Sequence, residues 1–368
     1  MFGFKDVRSF FLRHRKKIFF VGSFATGVYL TWKYATLWLS DYQSRQMAAA
    51  FAAAKRQTHF ESNQRTANAT VCSMIPVLRS TLMDELNCEN LTEQLQHKPT
   101  NKVYLWSELK VVSFTRTLVL IYSTSILVLS LKVQLNVIGG YIYLLNERRP
   151  NLSQLDKEGM IQQKYLETIQ YFLSSGVRDL CSLVRHSVER ELMNVSLKKM
   201  FTHSSLLDLI NKIRAPIEQR LENMKETPFF EFISTTPTSE SLATEFDQLT
   251  LPRLLEDTRE IWKSEDFHVV LQATIDSGFE GLHKHLSKAW SAAISNSATA
   301  VVSPTVSGTV LETNAVALAK IIPPLVGVVH VTCSDNMTDY LQKLLTLPCI
   351  DDLAHQIYES FCEEALLK

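Results

Sequence analysis

The side chains that most often carry chemistry, histidine, cysteine and paired carboxylates, are scattered along this chain. Six cysteines (Cys72, Cys88, Cys181, Cys333, Cys349 and Cys362) include no CxxC pair. Their spacing fits neither a zinc site nor a small disulfide scaffold, and a reducing compartment is the simplest reading. His283 and His285 form the nearest histidine pair. On a helix, a step of two turns them to different faces, so they do not share a metal. His59-Phe60-Glu61 sets a base beside an acid, but no nucleophile or metal partner accompanies them. Polar side chains satisfying a helix terminus are the better reading there. The sequence holds no G-x-G-x-x-G, no phosphate-cradling lysine loop, no G-x-S-x-G and no H-E-x-x-H. No catalytic residue, cofactor or metal is therefore expected, and the chain reads as a non-enzyme. N-x-S/T sequons at Asn68, Asn90, Asn151, Asn194 and Asn336 carry no glycan if the domain faces the cytosol.

The elements that must position a binding surface are more legible. The chain has 368 residues, 46% hydrophobic and 21% charged, which is enough to pack a core. Lys plus Arg balances Asp plus Glu at 38 each, so no net charge draws it to nucleic acid. The balance is local only in part. Residues 1–17 carry Lys5, Arg8, Arg13, Arg15, Lys16 and Lys17 against Asp6 alone. Residues 18–39 then run apolar with one charge, Lys33, and as a helix they would span roughly 33 Å, a bilayer's hydrocarbon thickness. Tyr29, Trp32, Tyr34 and Trp38 form an interfacial belt, and Lys33 can snorkel. The stretch ends in bulky Leu37, Trp38 and Leu39 with no small-residue cleavage site, so it reads as an uncleaved anchor. A second apolar run, 117–131, is short for a span and diluted by Ser123, Thr124, Ser125 and Ser130. It reads as a buried helix of a folded core.

Helical spacing predominates elsewhere. Ala-rich 42–57 extends the anchor helix into solvent. Leu78, Leu82 and Leu86 make a stripe begun by Pro76, and Asn90 with Glu93 has the spacing of a capping box. Gly139-Gly140 predicts a break or a close backbone approach. The stripe Leu166, Ile169, Leu173, Val177, Leu180, Val184, Val188, Leu192 predicts one helix over about 160–194. Leu206, Ile210, Ile213, Ile217 and Leu221 predict another, kinked at Pro216. Leu353, Ile357 and Phe361 predict a last helix after Pro348. Segments 225–247 and 294–316, rich in Ser, Thr and Pro, read as loops. The fold class is all-α: an elongated helical bundle, residues 40–368, behind one N-terminal transmembrane helix.

Several runs carry a resemblance. HFESNQRT (59–66), NKVYLWSELK (101–110), SFTR (113–116), VQLNVIGGYIYLL (133–145), SLLDL (205–209) and LAKIIPP (318–324) resemble the signatures of the peroxin-three family of peroxisomal biogenesis factors. The basic RHRKK before an apolar span is similar too. The likeness is strong over 1–145, patchy over 160–225, weak over 226–316 and recovers at 317–330. It implies a non-enzymatic protein of the peroxisomal membrane, anchored among its lipids by one helix, with the basic N-terminus in the matrix and the bulk in the cytosol. It also implies a partner, the import receptor peroxin nineteen, whose amphipathic helix sits in a hydrophobic groove. The matching groove positions are Leu95, Lys102, Trp106 and Ile142: an aromatic anchor at Trp106, apolar walls at Leu95 and Ile142, and a rim charge at Lys102. Family members often have a basic residue after the leucine, where this chain has Gln96. By residue type alone, Trp106 reads as a core residue before it reads as an anchor. The alternative function class is a membrane-anchored helical enzyme or lipid-binding protein with an acyl-sized cavity.

Overall fold

The computed structural model describes residues 4–97, 99–148, 163, 165–223, 245–297, 315–334 and 337–363. The loop readings over 225–244 and 298–314, and the sequons at Asn151 and Asn336, lie outside the described residues. Two compact units divide the chain, Met1–His59 and Phe60–Lys368.

Helix α1 spans Phe4–Glu85. Within the first unit, every residue from 27 to 55 is exposed, including Trp32 (69%), Trp38 (69%) and Phe51 (75%). The Ala-rich extension is therefore helical and solvent-facing, as its composition predicts. The hydroxyls of Thr31, Thr36 and Ser40 donate to carbonyls three or four residues back in the same helix.

In the second unit, α1 buries Ala67, Val71, Ile75, Leu78 and Leu82, a stripe stepping by three or four. Pro76 lies inside this helix and not at its start. An interior proline costs a helix about 3 kcal/mol, and the continuous buried stripe on either side offsets that. Helix α2 (Cys88–Gln96) follows, then α3 (Lys102–Arg148). A π-helical turn, Phe172–Gly176, interrupts the next stripe and leads into α4 (Val177–Leu192). Leu166 is half-buried, and the other seven members of that stripe are buried. Helix α5 (His203–Asn223) buries all five of its predicted stripe residues and continues through Pro216. Next come α6 (Glu245–Lys263) and α7 (Glu265–Ser297), then α8 (Leu318–Thr332), α9 (Asp339–Leu345) and α10 (Pro348–Glu363). The helices claim 245–247 and 294–297 from the predicted loops. One antiparallel pair, β1 (Met200–Phe201) with β2 (Val316–Ala317), departs from pure helix.

Helix α3 is the core of the second unit, wrapped by α2, α4, α7, α8 and α10. Every residue from Val112 to Gly140 is buried, so 117–131 is the core helix its length and hydroxyls imply. Several hydroxyls bond back along the helix: Thr115 to the Val111 carbonyl (2.8 Å), Thr117 to Ser113 (2.9 Å), Ser123 to Leu120 (3.2 Å) and Thr124 to Leu120 (2.8 Å). Two buried cations are satisfied from other helices. Arg116 makes paired bonds to the Glu89 carboxylate (2.7 and 3.0 Å) and another to the Val326 carbonyl (2.9 Å). Lys132 Nζ donates to Gln64 Oε1 (2.6 Å) and lies 3.6 Å from Asp351. Gly139-Gly140 does not break the helix. A Cβ on Gly140 would meet Phe361 Cβ at 2.7 Å and the Tyr358 carbonyl at 2.9 Å, so glycine is needed for α10 to approach α3.

Candidate docking surface

The first turn of α3 holds the candidate site, and α2 frames it. Asn87 caps α2, its side-chain oxygen accepting from the Asn90 backbone N–H at 2.8 Å. The cap is thus three residues earlier than the Asn90–Glu93 spacing indicates. Glu89, in the first turn, is clamped by Arg116. Burial raises its carboxyl pKa, but the Arg116 hydrogen bonds and charge outweigh that and hold it below the usual range. Leu91 and Leu95, one turn apart on α2, are both half-buried and packed against the core. A five-residue connection, 97–101, then delivers the chain to Lys102.

On α3, Leu105 and Leu109 point into the core. Lys102 and Trp106, four apart, share another stripe. Lys102 is exposed, while Trp106 is half-buried with part of its indole against the core. Beside them Val103 (85%) and Tyr104 (66%) are exposed. The stripe continues to Lys110, whose buried ammonium donates to the carbonyls of Leu192 (2.9 Å) and Val195 (2.8 Å) at the C-terminus of α4. Burial pulls its pKa down. A cation among the terminal carbonyls of a helix also answers that helix's dipole. Glu108 reinforces the junction through Arg185 (2.6 Å), which also binds Glu189 (2.7 Å). These bonds fix the end of α4, and with it exposed Met193 (77%), near the start of α3. Exposed apolar groups next to a half-buried indole are features that a docking surface uses.

The structure does not bring all four expected groove residues together. Lys102 and Trp106 lie at the start of α3, and Leu95 lies near the end of α2, seven residues before Lys102. Ile142, also half-buried, lies thirty-six residues along the same unbroken helix, or about 54 Å away at the α-helical rise. Sequence reasoning missed Leu91, Val103, Tyr104 and Met193. Val103 and Tyr104 stand inside the NKVYLWSELK run, and Met193 directly follows the last member of the α4 stripe, so both signals were available.

The chemical candidates sit apart from this surface. His59 and Glu61 lie in the middle of α1 and not at a helix terminus. Burial, then the Lys55 charge, lowers the His59 pKa. His283 and His285 lie on α7, and burial lowers the His283 pKa. Burial pushes the Cys88 thiol up to about 11 and those of Cys181 and Cys333 up to about 12, far from the thiolate a nucleophile needs. Among the described residues, no three His, Cys, Asp or Glu side chains are grouped as a metal site requires.

What the fold defines is an α-helical scaffold built around one buried central helix. The chain belongs to the Peroxin-3 family, whose model matches residues 9–103, 98–146 and 145–360. It is 36% identical over 373 residues to Peroxisomal biogenesis factor 3 of Homo sapiens, covering 97% of each chain. Peroxisome biogenesis protein 3-1 of Arabidopsis thaliana is 26% identical over 293 residues, 73% of this chain and 80% of that one. Peroxisomal membrane protein PEX3 of Komagataella phaffii is 24% identical over 273 residues, 58% and 60% respectively.

Proposed function

We propose that this protein is a peroxisome biogenesis factor that docks the receptor for peroxisomal membrane proteins, peroxin nineteen, on the surface around Trp106. The observation carrying the proposal is a half-buried indole near the start of α3, one turn after exposed Lys102 and Val103. Leu95 forms an apolar wall and exposed Lys102 a rim charge; Ile142 is not part of this surface. The names of the relatives, peroxisomal biogenesis factor and peroxisomal membrane protein, support the compartment.

Residues 18–39 hold the protein in the peroxisomal membrane as a single span, with the bundle in the cytosol. An exposed apolar band from Val28 to Leu39 supports this, because a segment in lipid must expose apolar side chains and satisfy its own backbone. The Thr31 and Thr36 hydroxyls, bonded to carbonyls of their own helix, meet the same requirement.

Trp106→Ala tests the docking role. Truncating an aromatic anchor typically costs ~2–4 kcal/mol of binding, roughly 30- to 1,000-fold in affinity. Calorimetric titration with the receptor should register that loss, with the melting temperature nearly unchanged. Lys102→Ala should weaken binding by less than 1 kcal/mol, mainly at low salt. A large drop in melting temperature, with normal affinity in the molecules still folded, would refute the anchor.

A further inference from the structure

Two of the runs singled out in the sequence, HFESNQRT (59–66) and VQLNVIGGYIYLL (133–145), take no part in the surface around Trp106. The fold brings them together. Asn136 and Lys132 of α3 are buried (0% and 1%), and Asn63 and Gln64 of α1 are half-buried against them. Lys132 Nζ donates to Gln64 Oε1 (2.6 Å), and Gln64 Nε2 donates to Asn136 Oδ1 (2.8 Å). Asn136 Nδ2 closes the ring on the Lys132 carbonyl (2.7 Å). Asn63 Nδ2 joins it, donating to Asn136 Oδ1 (3.1 Å) and to the Leu135 carbonyl (3.0 Å).

Each amide has one working orientation. Turning Gln64 over would set its amide hydrogens against the Lys132 ammonium. Turning Asn136 over would set two donors, from Asn63 and Gln64, against its own amide hydrogens. Gly139 makes room for the arrangement. A Cβ there would meet Asn63 Cγ, Nδ2 and Oδ1 at 2.7 Å each, so no larger residue leaves Asn63 its place.

Apolar packing does not choose this alignment by itself. Along α1 the buried residues Ala67, Val71, Ile75, Leu78 and Leu82 step by four, four, three and four. Sliding α1 by one turn therefore sets most of the apolar stripe onto apolar places again. The polar layer does not survive the slide. Moved one way, Ala67 and Asn68 take the places of Asn63 and Gln64; moved the other way, His59 and Phe60 do. Ala67 brings no side-chain donor to Asn136, and Phe60 brings no acceptor to the buried Lys132 ammonium. Both leave polar groups stranded in the core.

We infer that this layer is a register lock: Asn63, Gln64, Lys132 and Asn136, with Gly139 as the notch, select one axial position of α1 on α3. Buried polar groups fix register in packed helices in the same manner, at some loss of stability. The lock is independent of the docking role of Trp106.

The test uses the full-length protein in nanodiscs, with genetically encoded spin-labelled residues at exposed Arg65 of α1 and exposed Gln356 of α10. Double electron–electron resonance should give one narrow distance for the wild type. An Asn63→Ala, Gln64→Leu, Lys132→Met, Asn136→Leu variant makes the layer apolar. It should melt at or above the wild-type temperature, yet show a second population in which α1 is displaced by one turn, about 5.4 Å. Gly139→Ala, which expels Asn63 and leaves the other three in place, should lower the melting temperature and broaden the distance. A single wild-type distance in the apolar variant would overturn the inference, and so would two distances in the wild type. If the apolar variant does not fold, Gly139→Ala decides: an unbroadened distance there overturns the lock.

Discussion

Two apolar stretches of this chain, one in α1 and one in α3, stand in opposite surroundings. In α1, every residue from 27 to 39 is exposed. In α3, every residue from 112 to 140 is buried inside the bundle, although the helix passes the length and composition test for a span. Hydropathy reports how strongly a segment avoids water, not what replaces the water. The replacement is decided by partners. Around α3, other helices present buried apolar side chains, and its three buried cations find partners on other elements: Arg116 at Glu89, Lys132 at Gln64 and Asp351, and Lys110 at the Leu192 and Val195 carbonyls. The α1 segment carries exposed Lys33 and an aromatic cluster, and its Thr31 and Thr36 hydroxyls bond within their own helix.

That contrast can be broken most violently from the α3 side. Leu127, fully buried in α3, should not accept a charge. Leu127→Arg strands an unpaired guanidinium in the core and should cost about 5 kcal/mol or more, read as loss of the cooperative thermal transition. A mild shift in melting temperature would mean the α3 core is looser than its burial indicates.

Arg116→Ala comes next. Removing one member of a buried pair costs about 3–5 kcal/mol, and here it also frees the Val326 carbonyl and loosens α2. The pair leaves a signature in pH. The folded pKa of Glu89 lies below its unfolded value, so its stabilisation is complete above the ordinary carboxylate range and fades as pH falls through the folded value. Acid titration of stability should therefore be shallower in Arg116→Ala than in the wild type. Identical slopes would show that Arg116 does not control this carboxylate.

Leu30→Arg applies the same substitution to the other stretch. The bundle should melt unchanged, since Leu30 is exposed (45%). Membrane insertion should weaken by about 2.5–3.5 kcal/mol, seen as release from membranes by alkaline carbonate. A folding defect without release would exchange the roles of the two stretches.

Much of this was legible before any coordinates. Apolar periodicity located α4, α5 and α10 because their stripes face one core, and the same spacing in α1 gave Leu78 and Leu82. The short length of 117–131 and its hydroxyls pointed to the interior. What escaped had physical reasons. Pro76 resembles a start because isolated helices cannot tolerate it, whereas a packed one can. The cap fell to Asn87 because the capping pattern does not say which of two asparagines has a free N–H above it. Two-residue strands such as Met200–Phe201 have no alternation to detect. Ile142 was grouped with Trp106 by resemblance, which carries residues but no distances, and Gly139-Gly140 hid the fact that α3 runs on without a turn.

That unbroken α3 acts as a ruler. Its two ends, marked by Trp106 and Ile142, stand about 54 Å apart, a spacing fixed by helical rise and not by hinges. A partner reaching both ends at once would need at least about 15 extended residues between its contacts. Shorter tethers could engage only one end at a time. Longer ones would gain avidity that peaks when the tether's mean reach matches this span and then declines.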